Sequence, residues 1–222
     1  MNIVIMGAQG TGKGTVAGIL KTFLMIPHIS TGEMFRKNIK AKTELGKTVA
    51  KYTNSGILVP DEITNEMIKT RINELDCQKG FILDGYPRTL DQAKELDKML
   101  EEKGEKLDLV IYLTTPMDEI IERVMARREC PNCRRVYNMI LNKPRIEERC
   151  DLCGIKLVKR RDDTEENLKK RLDIFFEQTE PVKSFYEEKG IVKEEEVSSR
   201  SNRLGEDVAK DILRELKKTK SN

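Results

Sequence analysis

The sequence predicts an α/β domain carrying a small metal-stapled insertion, and three observations carry that reading. Residues 2–6 are a short apolar run that passes through a Gly-rich turn into helical periodicity. Residues 80–84 and 107–113 are two more apolar runs of strand length, set apart by stretches of helical spacing, the pattern of a buried parallel sheet. Cys130-Pro131-Asn132-Cys133 and Cys150-Asp151-Leu152-Cys153, separated by sixteen residues, mark the insertion. A chain of 222 residues is long enough for such a domain with its insertion.

Composition removes several function classes. Lys and Arg total 41 against 38 Asp and Glu, so nothing marks a protein that coats polyanions, and anion sites must come from local clusters. The single histidine, His28, argues against nucleophilic chemistry that needs a His base. With no basic n-region and no apolar run of membrane-spanning length, a soluble, cytoplasmic protein is expected, bound to no membrane. The high charged fraction, 36%, around an aliphatic core is a composition common in heat-tolerant proteins.

The turn after the first strand is Gly7-Ala8-Gln9-Gly10-Thr11-Gly12-Lys13-Gly14-Thr15. It fits G-x-x-x-x-G-K, with Gly14 at the usual hydroxyl position and the hydroxyl one place on at Thr15. A Gly-rich turn alone serves any tight bend. With a strand before it, a helix after it and Lys13 in register, it reads as a phosphate cradle of backbone N–H groups and one mobile cation. Val16, Ile19, Leu20, Phe23 and Leu24 form the apolar face of the following helix.

Residues 26–30 read as a second strand. Ser30 and Glu33 have the spacing of a capping box for the next helix. Arg36 on that helix is either a solvated residue or a charge aimed at a phosphate. Residues 47–52 read as a helix fading at Gly56, and residues 57–61 as an extended segment, since Pro60 disfavours helix at Val59. That segment is either core cover or a wall for a flat ring. Asp61 is expected to cap a helix over residues 62–74.

The strand at residues 80–84 ends in Asp84-Gly85-Tyr86-Pro87-Arg88. A carboxylate at the carboxyl end of a parallel strand lies where α/β proteins bind ligands, and Asp84 can hold a water of hydrated Mg²⁺. Arg88 offers a fork to phosphate oxygens. A helix over residues 89–102 carries Gln92 in its first turn. After the strand at residues 107–113, a helix starting near Pro116 is expected to carry Arg123 and Arg127 on one face, with Arg128 beside them.

C-x2-C-x16-C-x2-C is the spacing of a closed four-thiolate zinc site built from Cys130, Cys133, Cys150 and Cys153, structural because no coordination position stays open. Cys77 reads as an ordinary buried thiol. A helix opening at Asp163 or Thr164 and bearing Arg171 is expected to break at Glu180-Pro181. Another follows to Gly190, then a brief strand at Ile191-Val192, an exposed loop from Glu194 to Arg203, a helix over residues 207–217 and a frayed tail over residues 218–222.

In order along the chain, the Gly7–Thr15 loop, Ser30-Thr31-Gly32 with Arg36, Gly56-Ile57-Leu58-Val59-Pro60, Asp84-Gly85-Tyr86-Pro87-Arg88 with Gln92, the four cysteines, and Arg160-Arg161-Asp162-Asp163 with Arg171 resemble the adenylate kinases of the long bacterial type with a zinc-holding lid. The resemblance covers residues 1–213. It implies the P-loop nucleoside monophosphate kinase fold, a central parallel sheet flanked by helices. The core domain would comprise residues 1–29, 60–126 and 165–222, with an AMP-binding flap at 30–59 and a lid at 127–164.

It also implies reversible phosphoryl transfer from MgATP to AMP giving two ADP, in adenine nucleotide homeostasis, by a cytoplasmic monomer that binds no nucleic acid. Gly10, Thr11, Gly12, Lys13, Gly14, Thr15, Arg123 and Arg127 would hold ATP. Thr31, Arg36, Gly56, Ile57, Leu58, Val59, Gly85, Arg88, Gln92, Arg160 and Arg171 would hold AMP. Lys13, Arg88, Arg123, Arg160 and Arg171, with Asp84 on Mg²⁺, would serve the transfer, and zinc would be structural. The chain departs from the family at residues 193–196, where contacts to the ATP adenine are expected. Two rivals stand beside this reading: an AMP kinase with another donor base, and a zinc-ribbon module meeting nucleic acid through Arg127, Arg128, Arg134 and Arg135.

Overall fold

Five parallel strands run side by side in the order β2-β3-β1-β4-β7. In the computed structural model they are Asn2–Gly7 (β1), His28–Ser30 (β2), Phe81–Asp84 (β3), Leu109–Thr114 (β4) and Val192–Glu196 (β7). The model describes residues 1–160 and 162–219. Arg161 of the basic–acidic motif and residues 220–222 of the expected tail lie outside them. All six residues of β1 are buried, so the strand has no polar face and must lie mid-sheet.

Alternation along the strands builds two cores. Val4, Met6, Phe81, Leu83, Val110 and Tyr112 face one side. There they meet helices Asp61–Ile72 (α4), Leu90–Glu101 (α5), Glu165–Ile174 (α7) and Glu180–Glu187 (α8). Ile3, Ile5, Ile82, Ile111 and Leu113 face the other side and meet Lys13–Leu24 (α1) and Gly205–Thr219 (α9). Two smaller units stand off this layer. Helices Thr31–Ala41 (α2) and Glu44–Ser55 (α3) pack around Phe35, Val49 and Val59. Helix Met117–Met125 (α6) leads into the antiparallel pair Arg127–Glu129 (β5) and Val136–Asn138 (β6), which borders a cluster of Cys130, Tyr137, Cys150 and Leu157.

Several expectations are corrected. Phe23 is 64% exposed and not on the core face of α1, where Val16, Ala17 and Leu20 are buried. Ser30 precedes α2, but its side chain makes no cap hydrogen bond, so no capping box forms. Asp61 lies inside α4 instead of capping it, and its carboxylate accepts from Thr89 and Gln92. The helix carrying Arg123 ends at Met125, and Arg127 and Arg128 belong to β5, because pairing with β6 captures them. No break occurs at Pro181: α7 passes through a π turn, Phe175–Thr179, straight into α8. Pro181 sits in the first turn of α8, where a missing N–H is tolerated. Glu194, Glu195 and Glu196 are not loop. They complete β7, paired with Tyr112, Leu113 and Thr114.

Candidate active site

The carboxyl ends of β1, β2 and β3 open on one cavity of about 900 Å³. Its floor is the turn after β1. Gly7 has φ 137, and a Cβ there would meet the Leu113 carbonyl oxygen at 2.4 Å, so only glycine fits beside β4. Gly12 at φ 91 opens α1, which has no acidic residue in its first turn and no side-chain cap. The N–H groups of Lys13 and Gly14, which open α1 ahead of the bonds from Thr15 N and Val16 N to Gly12 O, therefore stay available to an anion.

Lys13 lies over this turn, its Nζ donating to the carbonyls of Gly7 at 2.8 Å and Ala8 at 2.7 Å. Burial pushes its pKa down to about 8 against the pull of Asp84. Thr11 is buried, and its hydroxyl donates to Ala8 O at 2.9 Å. Its side chain thus shapes the loop and does not line the cavity, unlike Gly10, Gly12, Gly14 and Thr15.

Asp84 closes β3 opposite Ile5 of β1 and Ser30 of β2. Burial opposes its ionisation, but His28 at 3.3 Å, Lys13 and Arg88 hold its carboxyl below the usual range. An ionised oxygen donor beside the phosphate cradle suits a hydrated Mg²⁺. Arg88 Nε donates to Gly85 O at 2.9 Å. Its guanidinium pKa is lowered by burial and by neighbouring Arg171.

Thr31 donates to Gly85 O at 2.9 Å. Gln92 spans Arg88 N and the Asp61 carboxylate, at 2.8 and 2.7 Å. The Gly56–Val59 segment lines the cavity, with Ile57 47% exposed and Val59 anchored in the α2–α3 core. Arg36 faces the same space. Burial and the charge of Arg160 lower its pKa to about 10.

The remaining arginines are each held by a carboxylate. Arg123 pairs with Glu119 at 2.7 Å, and Arg127 forks onto Asp163 at 2.8 and 2.5 Å. Arg160 meets Glu129 at 2.6 Å, and Arg171 meets Asp162 at 2.6 Å. All four line the cavity. Thus every predicted nucleotide residue except Thr11 borders one space, although they come from seven separate stretches of chain.

The carboxylates themselves escaped notice in the sequence. Asp162 stands in the basic–acidic motif without a role and Asp163 reads there only as a candidate helix start, while Glu119, Glu129 and Gln9 give no local signal. Gln9 accepts from Arg171 at 3.0 Å and reaches Asp163 at 3.4 Å, tying the turn after β1 to the far wall. Val197, Leu204 and Gly205 also line the cavity, beside α1.

The sulfurs of Cys130, Cys133, Cys150 and Cys153 lie within 4.8 Å of one another, and none of them forms a disulfide. A tetrahedral site with metal–sulfur bonds of about 2.3 Å sets sulfurs about 3.8 Å apart, so this donor set fits such an ion with little movement. Among the described residues, no helix is long and apolar enough to cross a membrane.

The family model for adenylate kinase matches residues 5–191. The adenylate kinase of Syntrophomonas wolfei is 47% identical over 208 residues, 94% of this chain and 97% of that protein. Those of Pseudothermotoga lettingae and Thermosipho melanesiensis are 45% and 48% identical, over 98% and 84% of this chain and 99% and 87% of their own lengths. A parallel sheet with a phosphate cradle at its carboxyl edge, a cavity ringed by arginines, and likeness along nearly the whole length lead to one assignment: the chain belongs to the adenylate kinase family.

Proposed function

We propose that the cavity binds two nucleotides with their phosphates facing, ATP over the turn after β1 and AMP between β3 and the α2–α3 unit. The family reaction is reversible transfer of the terminal phosphoryl group of MgATP to AMP, giving two ADP. The observation that carries the division of labour is the convergence of Lys13, Arg88, Arg123, Arg127, Arg160 and Arg171 on one space. Phosphoryl transfer asks for positioning and charge neutralisation more than for a nucleophilic side chain.

Gly10, Gly12 and Gly14 receive the ATP phosphates on backbone N–H groups beside Thr15, with Thr11 holding the loop in shape, and Lys13 follows the moving phosphoryl group. Arg123 and Arg127 flank the donor. Thr31, Arg36, Gly85, Arg88 and Gln92 fix the acceptor, and the segment from Gly56 to Val59 walls its base. Arg160 and Arg171 exchange their carboxylates for phosphate oxygens as the site closes. Asp84 holds a water of hydrated Mg²⁺, which when bound offsets phosphate charge. The four cysteines hold a structural zinc ion.

Residues 1–29, 60–126 and 165–222 act as the fixed core, while residues 30–59 and 127–164 move as flap and lid to exclude water from the transfer. We further assign the chain to the cytoplasm, as a monomer acting on free nucleotides and not on nucleic acid. A coupled assay of ADP formation from ATP and AMP tests the activity. ADP formed only when both are present, with Mg²⁺, is the expected result. ATP hydrolysis independent of AMP would contradict it.

A further inference from the structure

A buried carboxylate outside the residues assigned above ties the donor side of the cavity together. Glu119, in the first turn of α6, is 4% exposed. Its Oε2 accepts from Arg123 Nη2 at 2.7 Å, from Ser199 N at 3.0 Å and from Ser199 Oγ at 2.9 Å. Its Oε1 accepts from Ser198 Oγ at 2.6 Å. One side chain therefore joins an arginine of α6 to the turn that follows β7.

That turn is closed on itself. Ser198 N donates to Arg203 O at 2.9 Å and Arg203 N to Ser198 O at 3.0 Å. The residues flanking this closed turn, Val197 and Leu204, both line the cavity. Val197 Cγ1 would lie 3.7 Å from a Cβ built on Gly12, so it stands against the phosphate cradle. A second tie runs parallel: Thr115 Oγ1 lies 2.8 Å from Val197 O and accepts from Arg123 Nη1 at 3.4 Å.

Arg123 itself is 6% exposed, and its Nε is buried with no hydrogen-bond partner in the protein. A buried guanidinium with two nitrogens fixed by the protein and a third unpaired, bordering a cavity, is set for an acceptor that arrives from outside. The apolar side chains of Val197 and Leu204 offer a face for a flat ring next to it.

We infer that Glu119 is a positioning residue for the donor nucleotide, fixing Arg123 and the Ser198–Arg203 turn in one arrangement so that donor phosphate and donor base are read together. The turn then sets donor-base selectivity, and Glu119 couples it to the phosphate-side arginine. This rests on the assignment of Arg123 to the donor site.

The test measures KM for ATP, KM for AMP and the ATP-to-GTP ratio of kcat/KM for three variants. Glu119→Gln keeps the shape but removes the charge and turns one acceptor into a donor facing Arg123 or the serines. It is expected to raise KM for ATP about tenfold and lower the ATP-to-GTP ratio, leaving KM for AMP within about twofold of wild type. Ser198→Ala with Ser199→Ala spares the Glu119–Arg123 pair and removes both hydroxyl ties to the turn, leaving the backbone bond from residue 199. It is expected to lower the ATP-to-GTP ratio with a smaller rise in KM for ATP, and it carries the test if Glu119→Gln does not fold.

Parallel rises in both KM values would mean general loosening and overturn the inference, as would unchanged KM for ATP and an unchanged donor ratio. Arg123→Ala separates the two levels. An unchanged KM for ATP there overturns the donor assignment itself. A raised KM there with wild-type behaviour of Glu119→Gln overturns the inference alone.

Discussion

Arg160 Nε and Glu129 Oε2 lie 2.6 Å apart, and the same carboxylate takes Arg134 Nη1 on its other oxygen at 2.6 Å. Glu129 is 4% exposed. Burial opposes its charge, but Arg160, Arg134 and Arg36 hold the carboxyl below its usual range. The pairing holds Arg160 in place, and under the proposed function it competes with the phosphate that Arg160 would take instead.

Glu129→Gln should therefore expose two effects at once. The melting temperature falls, because Arg160 loses its charge partner in a desolvated site. A bisubstrate analogue, two adenosines joined through a polyphosphate, should then raise the melting temperature more in the variant than in the wild type, since its phosphates supply the missing charge. Thermal scans with and without the analogue measure both. Equal ligand-induced shifts would show that Glu129 does not compete.

Lys13→Ala should lower the rate of phosphoryl transfer by about 10²–10³-fold, because a preorganised cation at the moving group is lost. The fold should survive. Burial of Lys13 already costs the charged form enough to bring its pKa to about 8. The check is turnover in the coupled assay beside the melting temperature, and equal rates in the two proteins would refute the role given to Lys13.

That depressed pKa has a signed pH dependence. Between about 8 and the ordinary 10.5, the unfolded chain binds more protons at Lys13 than the folded chain, so its contribution to stability rises with pH across that window. Binding runs the other way: above about pH 8 the unliganded protein loses the cation, and ATP affinity should fall. Calorimetric titration with ATP from pH 7 to pH 9.5 tests this, with Lys13→Arg expected to flatten the decline.

Glu119 supplies the acidic counterpart. Burial works against its ionisation, yet hydrogen bonds from Ser198 and Ser199 and the charge of Arg123 hold the carboxyl at about 2. Its contribution to stability is present above the unfolded value of 4.5 and is lost as pH falls from there toward about 2. Glu119→Gln should flatten the loss of stability in that interval, measured by urea unfolding at a series of acid pH values. An unchanged acid slope would show that Glu119 is not held ionised there.

Chelation of the metal proposed at the four cysteines should lower the melting temperature before it abolishes turnover in the cold. The cluster of Cys130, Tyr137, Cys150 and Leu157 is too small to hold residues 127–158 together without it. A melting temperature unmoved by gentle metal removal would overturn the structural role.

Local signals were the legible ones. Strand, glycine turn, Lys13 and helix lie within one short stretch, and the paired C-x-x-C motifs announce their own geometry. The start of edge strand β7 was legible at Ile191-Val192, but its continuation was hidden because Glu194, Glu195 and Glu196 carry no apolar alternation. Pairing with β4 and ion pairs from Lys183 to Glu194 and Arg203 to Glu195 hold it instead. The place of Arg127 was hidden because helical spacing continues past Met125 in the sequence, whereas the partner strand that ends it begins eleven residues on, at Val136–Asn138. Partners such as Glu119 for the Ser198–Arg203 turn are separated by about eighty residues of chain, and only the fold brings them together.

The most direct test of the account is a crystal structure with the bisubstrate analogue and Mg²⁺. It should show Lys13, Arg88, Arg123, Arg127, Arg160 and Arg171 directed at the phosphate chain, with Arg160 and Arg171 released from Glu129 and Asp162. A structure in which those side chains keep their carboxylates and the analogue binds elsewhere would contradict it.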